Sequence, residues 1–226
     1  MKSEHFGKIV VVAPHPDDEI LGCGGTMARL IGEGHDVDVV VVTRGSPPMF
    51  DEILVNEIRE ETLEAHRRLG VTQTRFLDLP AARLDQIPAS ELNAALSEAL
   101  AESRPDTLFI PFIGDVHADH QAVFTACLVH ARPRSRSVPS RVYAYETLSE
   151  TNWWAPGITP GFLPNVYMDI SNTLQAKLDA FAVFKSQVKE APDERSLVVI
   201  EALARVRGAV VFRPAAEAFM LVRQII

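Results

Sequence analysis

Two stretches of this chain leave little freedom in how it folds. "KIVVVAPH" (8–15) and "DVDVVVVT" (36–43) are nearly unbroken apolar runs of strand length, each closed by a turn or polar residue. A strand without polar alternation is covered on both faces, and such strands belong to parallel sheets flanked by helices. The intervening segment agrees: "EILGCGGTMARLIGEG" has a small-residue start, an apolar middle and a glycine stop at Gly34, as a crossover helix would.

The alternation continues. "NEIREETLEAHRRLG" predicts a helix with Ile58, Thr62, Ala65 and Leu69 as its inner stripe and Gly70 as its C-terminal cap. "TRFLDL", "TLFIPF" and "RVYAYE" read as strands. "ASELNAALSEALAESRP", with a start signal at Ser90 and a stop at Pro105, and "HQAVFTACLVHA" read as helices. After Glu146 a proline-rich loop, "TNWWAPGITPGFLPN", precedes a candidate strand "VYMDI". Two helices follow, "TLQAKLDAFAVFKSQV" and "ERSLVVIEALARVRG", then a closing strand "AEAFMLVRQI". The expectation is an α/β fold: a Rossmann-like three-layer sandwich with a mostly parallel sheet and a C-terminal helical and strand extension. It is read as a single domain over 1–226, with a core at 1–146 and the extension at 147–226 packed on it.

Composition narrows the function classes. A formal net charge of −8 gives no basic face for nucleic acid. The apolar runs are too short to span a bilayer. "MKSEHFGK" lacks the apolar centre of a signal peptide, so the expected location is cytoplasmic. Cys23 and Cys127 stand far apart in no metal-binding spacing and read as free thiols. Cys23 in "LGCGG" is expected to allow close helix–sheet packing, and "GCGG" lacks the spacing of a dinucleotide fingerprint.

The chemistry concentrates at two strand ends. "HPDDE" (15–19) follows the first predicted strand and "GDVHADH" (114–120) the fourth. Open parallel sheets bind ligands at their carboxyl edge. His15 and Asp18, three apart at a turn stiffened by Pro16, can aim at one point, and the second cluster can supply a third ligand. Two histidines and a carboxylate suit zinc, and would accept iron(II), cobalt or manganese. Taken separately, "HPDD" is equally a helix cap and "HADH" a polar loop. Their joint occurrence at neighbouring strand ends favours a metal. Asp17 beside Asp18 is then placed to act as general base on water attacking a carbonyl. The remaining histidine of the second cluster is placed to stabilise the oxyanion, with Asp119 orienting it and Glu19 supporting a ligand or the helix start.

"APHPDDEILGCGG" and "GDVHADHQAV" closely resemble the two signatures of the LmbE-like, or PIG-L, deacetylases, zinc hydrolases that remove acyl groups from N-acylated amino sugars. The resemblance extends through "IREETLEAHRRLGV", "RVYAYE", "KLDAFAVFKSQV", "RSLVVIEALARVRG" and "AEAF". It implies one Zn2+ on His15, Asp18 and His120, with Asp17 as base. It assigns His117 to the oxyanion and leaving group with Asp119 beside it, and Arg59 to the acyl or sugar group. Taken on its own, Arg59 is a surface ion pair within "REE". Ala81-Ala82 stands where relatives often carry an Asp-Gly-like pair, Phe184 where many carry histidine, and "RGAVVFRPAAEAF" lacks their usual glycine.

The expected activity is hydrolysis of an N-acetyl group from an amino sugar or N-acetylglucosamine conjugate. The expected partner is that small molecule, with self-association as a further expectation. An amidase acting on a thiol-sugar conjugate is the nearest alternative. A metal phosphoesterase would want a second metal. A magnesium-binding receiver module would leave His15 and "HADH" idle, and a non-catalytic member would have lost site residues that are all present. Trp153 and Trp154 are candidates for stacking on a sugar, plugging the loop or meeting another subunit. His5, His35, His66 and His130 are expected to be structural or solvated.

Overall fold

The computed structural model describes residues 6–134, 138–153, 155 and 157–226. Five parallel strands form in chain order: β1 (Ile9–Ala13), β2 (Val37–Arg44), β3 (Gln73–Pro80), β4 (Thr107–Ile110) and β5 (Arg141–Tyr145). Then β6 (Val166–Asp169) and β7 (Ala216–Gln224) join the same sheet antiparallel, in the order β3-β2-β1-β4-β5-β7-β6. The residues after Glu146 therefore widen the sheet by two strands.

The buried runs sort as period-2 geometry demands. Ile9, Val11, Val37, Val39 and Val41 enter one core. Helices α1 (Asp18–Gly32), α2 (Glu52–Leu69), α5 (Leu174–Phe181) and α6 (Leu197–Val210) supply that core's outer layer. Val10, Val12, Val40 and Val42 enter the opposite core with α3 (Ala89–Ser103) and α4 (Ala118–His130). This is the expected three-layer sandwich. Among the described residues no helix is long and apolar enough to cross a membrane.

The "GCGG" run does what small residues allow. A Cβ at Gly22 would stand 2.3 Å from the Tyr145 ring, whose hydroxyl donates to the Val12 carbonyl at 2.8 Å. Cys23 is fully buried beside it, and burial pushes its thiol well up.

Two helix ends differ most from expectation. α2 starts at Glu52 rather than Asn56, because the Asp51 carboxylate accepts the Ile53 and Leu54 N–H groups at 2.8 and 3.2 Å. α5 stops at Phe181 rather than reaching Val188; tighter turns follow, with the Phe184 N–H on the Phe181 carbonyl at 3.0 Å, and both rings enter the core.

Candidate metal centre and catalytic cleft

Crossovers leave β1 towards β2 and β3 on one side, while β4 lies on its other side and leads to β5 and β7. That switch point opens a crevice at the carboxyl edge. His15 and Asp18 enter from the turn after β1, and His117 to His120 from the start of α4 after β4. Asp17, just before α1, takes φ +93°. A left-handed backbone is costly for a residue other than glycine and persists where surrounding structure enforces it, often at functional sites.

Asp18 turns to two imidazoles. Its Oδ2 stands 3.3 Å from His15 Nδ1 and 3.2 Å from His120 Nε2. It also accepts the His15 backbone N–H at 2.8 Å, which fixes the carboxylate's orientation. Burial alone would raise its pKa, but the two histidines hold it well below the carboxylate range.

Each imidazole is braced from behind. His15 Nε2 donates to Asp119 Oδ2 at 3.1 Å, in the tautomer that leaves Nδ1 facing Asp18. His120 Nδ1 donates to Asp115 Oδ2 at 2.8 Å. Asp115 is itself held by the Thr151 hydroxyl at 2.5 Å, and that oxygen accepts the Thr147 N–H at 2.8 Å.

This arrangement corrects the pairing expected for Asp119. Its carboxylate faces His15 rather than His117, and also accepts the Ala82 and Leu84 N–H groups at 2.6 and 3.1 Å. Its backbone N–H donates to His117 Nδ1 at 3.1 Å, because His117 caps α4. His117 Nε2 then carries the ring proton, and burial lowers that ring's pKa. Glu19 supports neither a ligand nor the helix start. It bonds buried His66 at 2.9 Å, so His66 is structural.

A metal fits this set. The donor atoms of His15, Asp18 and His120 all lie within 4.8 Å of one another. Buried His120 Nε2 faces Asp18 Oδ2 at 3.2 Å without a well-aligned hydrogen bond, as two ligands of one cation would. His15, His117 and Asp119 also meet the distance condition. However, Asp119 is already engaged by three donors, whereas His120 Nε2 faces only Asp18.

Asp17 is buried beside this set, and burial pushes its carboxyl up to about 8 against the pull of Arg195. Arg195 reaches Asp17 Oδ2 at 3.1 Å, and the same nitrogen donates to Gln187 Oε1 at 2.6 Å. Its Nε donates to the Ser149 hydroxyl at 3.0 Å. The sequence alone does not single out Arg195, Gln187, Asp115 or Glu150; burial raises the Glu150 pKa. No local signal marks Arg195, which lies 178 positions from Asp17.

The cleft beyond holds about 270 Å³. Arg59 lies along it, bonded to Asp78 at 2.7 Å with its guanidinium 3.9 Å from the Phe76 ring centre. Ala81 and Ala82 line it too, and Ala82 takes φ +58°, a left-handed conformation that glycine adopts most readily. Trp153 does not line this cleft; its ring is largely exposed and its indole N–H donates to Glu194. Trp154 lies outside the described residues, as does His5.

The comparisons with known proteins agree with this geometry. The chain is 29% identical over 184 residues to "Uncharacterized deacetylase YaiS" of Escherichia coli, covering 79% of this chain and 90% of that one. It is 27% identical over 193 residues to a diacetylchitobiose deacetylase of Thermococcus kodakarensis, covering 81% and 71%. The solved structure of the conserved protein TT1542 from Thermus thermophilus superposes with TM-score 0.78 at 28% identity, covering 97% and 96%. The family model described as "PIG-L: GlcNAc-PI de-N-acetylase" matches residues 10–131, over half of the 226, and the chain belongs to that family.

Proposed function

We propose that this chain is a zinc-dependent hydrolase that removes an N-acetyl group from an amino sugar. The observation that carries the reading is the convergence of His15, Asp18 and buried His120 on one point, beside Asp17, where His15, Asp17 and His117 line one cleft. The names of the relatives support the reaction class, and family membership removes the receiver-module alternative. Two imidazoles and a carboxylate suit zinc, with second partners on both histidines. Zinc bound there would supply Lewis-acid activation of water and of the amide carbonyl.

The chain's own groups divide the remaining work. Asp17 takes a proton from the attacking water and returns it to the sugar nitrogen as the C–N bond breaks, leaving acetate and a free amine. Arg195 holds the Asp17 carboxylate in place. His117, with its proton on Nε2, donates to the carbonyl oxygen as negative charge builds there. Arg59 and Asp78, presented together on the cleft wall, bind sugar hydroxyls.

Purified without chelator, the protein should carry about one zinc per chain at the three-ligand site. It should release free amine from N-acetylated sugars until chelator is added. Absence of any bound transition metal after loading would overturn the proposal.

A further inference from the structure

The inner stripe of α2 does not end where the core ends. Thr62, Ala65 and Leu69 are buried, but Val55 and Ile58, on the same stripe towards the helix start, are only half-buried and line the cleft. Phe50 joins them; its ring packs against Gly45 so closely that a Cβ there would stand 2.8 Å from it. The glycine thus fixes the ring as part of the wall. At the start of α2, Met49, Ile53 and Leu54 are exposed at 55%, 71% and 40%. An apolar surface that begins inside a catalytic cleft and continues outward is unusual on a soluble face and marks a place where something apolar binds.

Charge decides among occupants. The three arginines lining the cleft are each matched by a carboxylate: Arg44 by Glu52, Arg59 by Asp78 and Arg195 by Asp17. A phosphate or nucleotide arm would need unmatched cations. An anionic membrane would meet a chain of net charge −8 with Asp51 and Glu52 at this very edge. The pair Arg59–Asp78, assigned above to the sugar hydroxyls, lines the same cleft as Val55 and Ile58, and Arg59, Val55 and Ile58 all come from α2, whereas His15, Asp17 and His117 come from the turn after β1 and the start of α4. The part of the substrate that meets the apolar wall is therefore attached to the hydroxyl-bearing side of the ring and not to the carbonyl.

Building on the deacetylase reading, we infer that the preferred substrate is an N-acetyl amino sugar glycosidically joined to an uncharged apolar aglycone, which lies along Phe50, Val55 and Ile58.

The test compares methyl and hexyl β-glycosides of N-acetylglucosamine with the zinc-loaded protein, by amine release and by calorimetric titration. The hexyl compound should have kcat/KM about tenfold or more above the methyl compound, since each buried CH₂ adds a favourable increment. Ile58→Gln, on a half-exposed helix position, should bring that ratio close to one. Equal values for the two glycosides in both measurements would overturn the inference. So would a chain-length advantage confined to N-hexanoylglucosamine, which would put the apolar arm on the acyl side. Chain-dependent binding without amine release would keep the apolar subsite and sink the deacetylase reading instead.

Discussion

Arg195 places a guanidinium nitrogen 3.1 Å from the buried carboxylate of Asp17, across 178 positions of sequence. The contact offsets part of the penalty that burial places on that carboxylate, and the carboxylate in turn favours the charged form of the half-buried guanidinium. Arg195 is thus a positioning residue for the proposed base. Arg195→Met should lower kcat by about 10- to 100-fold while leaving the bound zinc unchanged, since no ligand touches it. Loss of zinc in that variant would show that Arg195 holds the ligand turn instead. Arg195→Lys should recover part of the rate.

Asp17→Asn removes the proton acceptor and keeps the shape. Zinc content should stay near one per chain, and kcat should fall by about 10²- to 10⁴-fold. Undetectable zinc would mean that the roles of Asp17 and Asp18 are exchanged.

Asp115 and Asp119 brace the two histidines from opposite sides. Replacing either with Ala should weaken metal affinity by about 10- to 100-fold, measured by competition with a chromophoric chelator. Asp119→Ala also frees the Ala82 and Leu84 N–H groups, so its loss of activity should exceed what restored zinc can recover. Full recovery at high zinc would confine Asp119 to metal binding.

Far from the cleft, Lys177 and Glu217 form a buried pair at 2.6 Å. Glu217 also accepts the Gly25 and Thr26 N–H groups, and Lys177 donates to the Leu21 carbonyl. Together they fasten α1 to α5 and β7. Lys177→Met alone leaves a buried carboxylate unpaired and should cost about 3–5 kcal/mol in denaturant unfolding. A cost below about 1 kcal/mol would show that the two N–H donors suffice for Glu217.

Both cysteines are buried, and burial pushes both thiols above their ordinary pKa. The thiolate is the reactive form, so neither should react with a thiol reagent near neutral pH until the protein unfolds. Rapid reaction of Cys23 in the native state would show that α1 opens locally.

Much of the architecture was legible because the buried strands are short, continuous and β-branched, and because "HPDD" and "HADH" sit at their ends. What sequence could not supply was direction. Asp115 and Asp119 are both acidic residues in one polar loop, and only folding shows that one backs His120 and the other His15. The expected Asp119–His117 pair followed from proximity in sequence, but the cap of α4 turns the His117 ring to a backbone N–H instead. Ile58 was read as core because the stripe of α2 is continuous; the strip of protein that would cover it is missing where the cleft opens. Helix ends strayed where a cap (Asp51) or a tightened turn (after Phe181) outweighed periodicity.

The strand order has a consequence for biosynthesis. His15 and Asp18 leave the ribosome about a hundred residues before His120, and Arg195 follows only after β5 and β6. Pairing of β1 with β4 must close that long loop before the three ligands can meet, a slow step set by the sequence distance it spans. On a growing chain the three candidate ligands are therefore all present before the guanidinium that pairs with Asp17, which follows 75 residues after His120. The order of synthesis thus divides the site: the groups that could hold a metal come first, and the arginine that faces Asp17 comes from the last third of the chain.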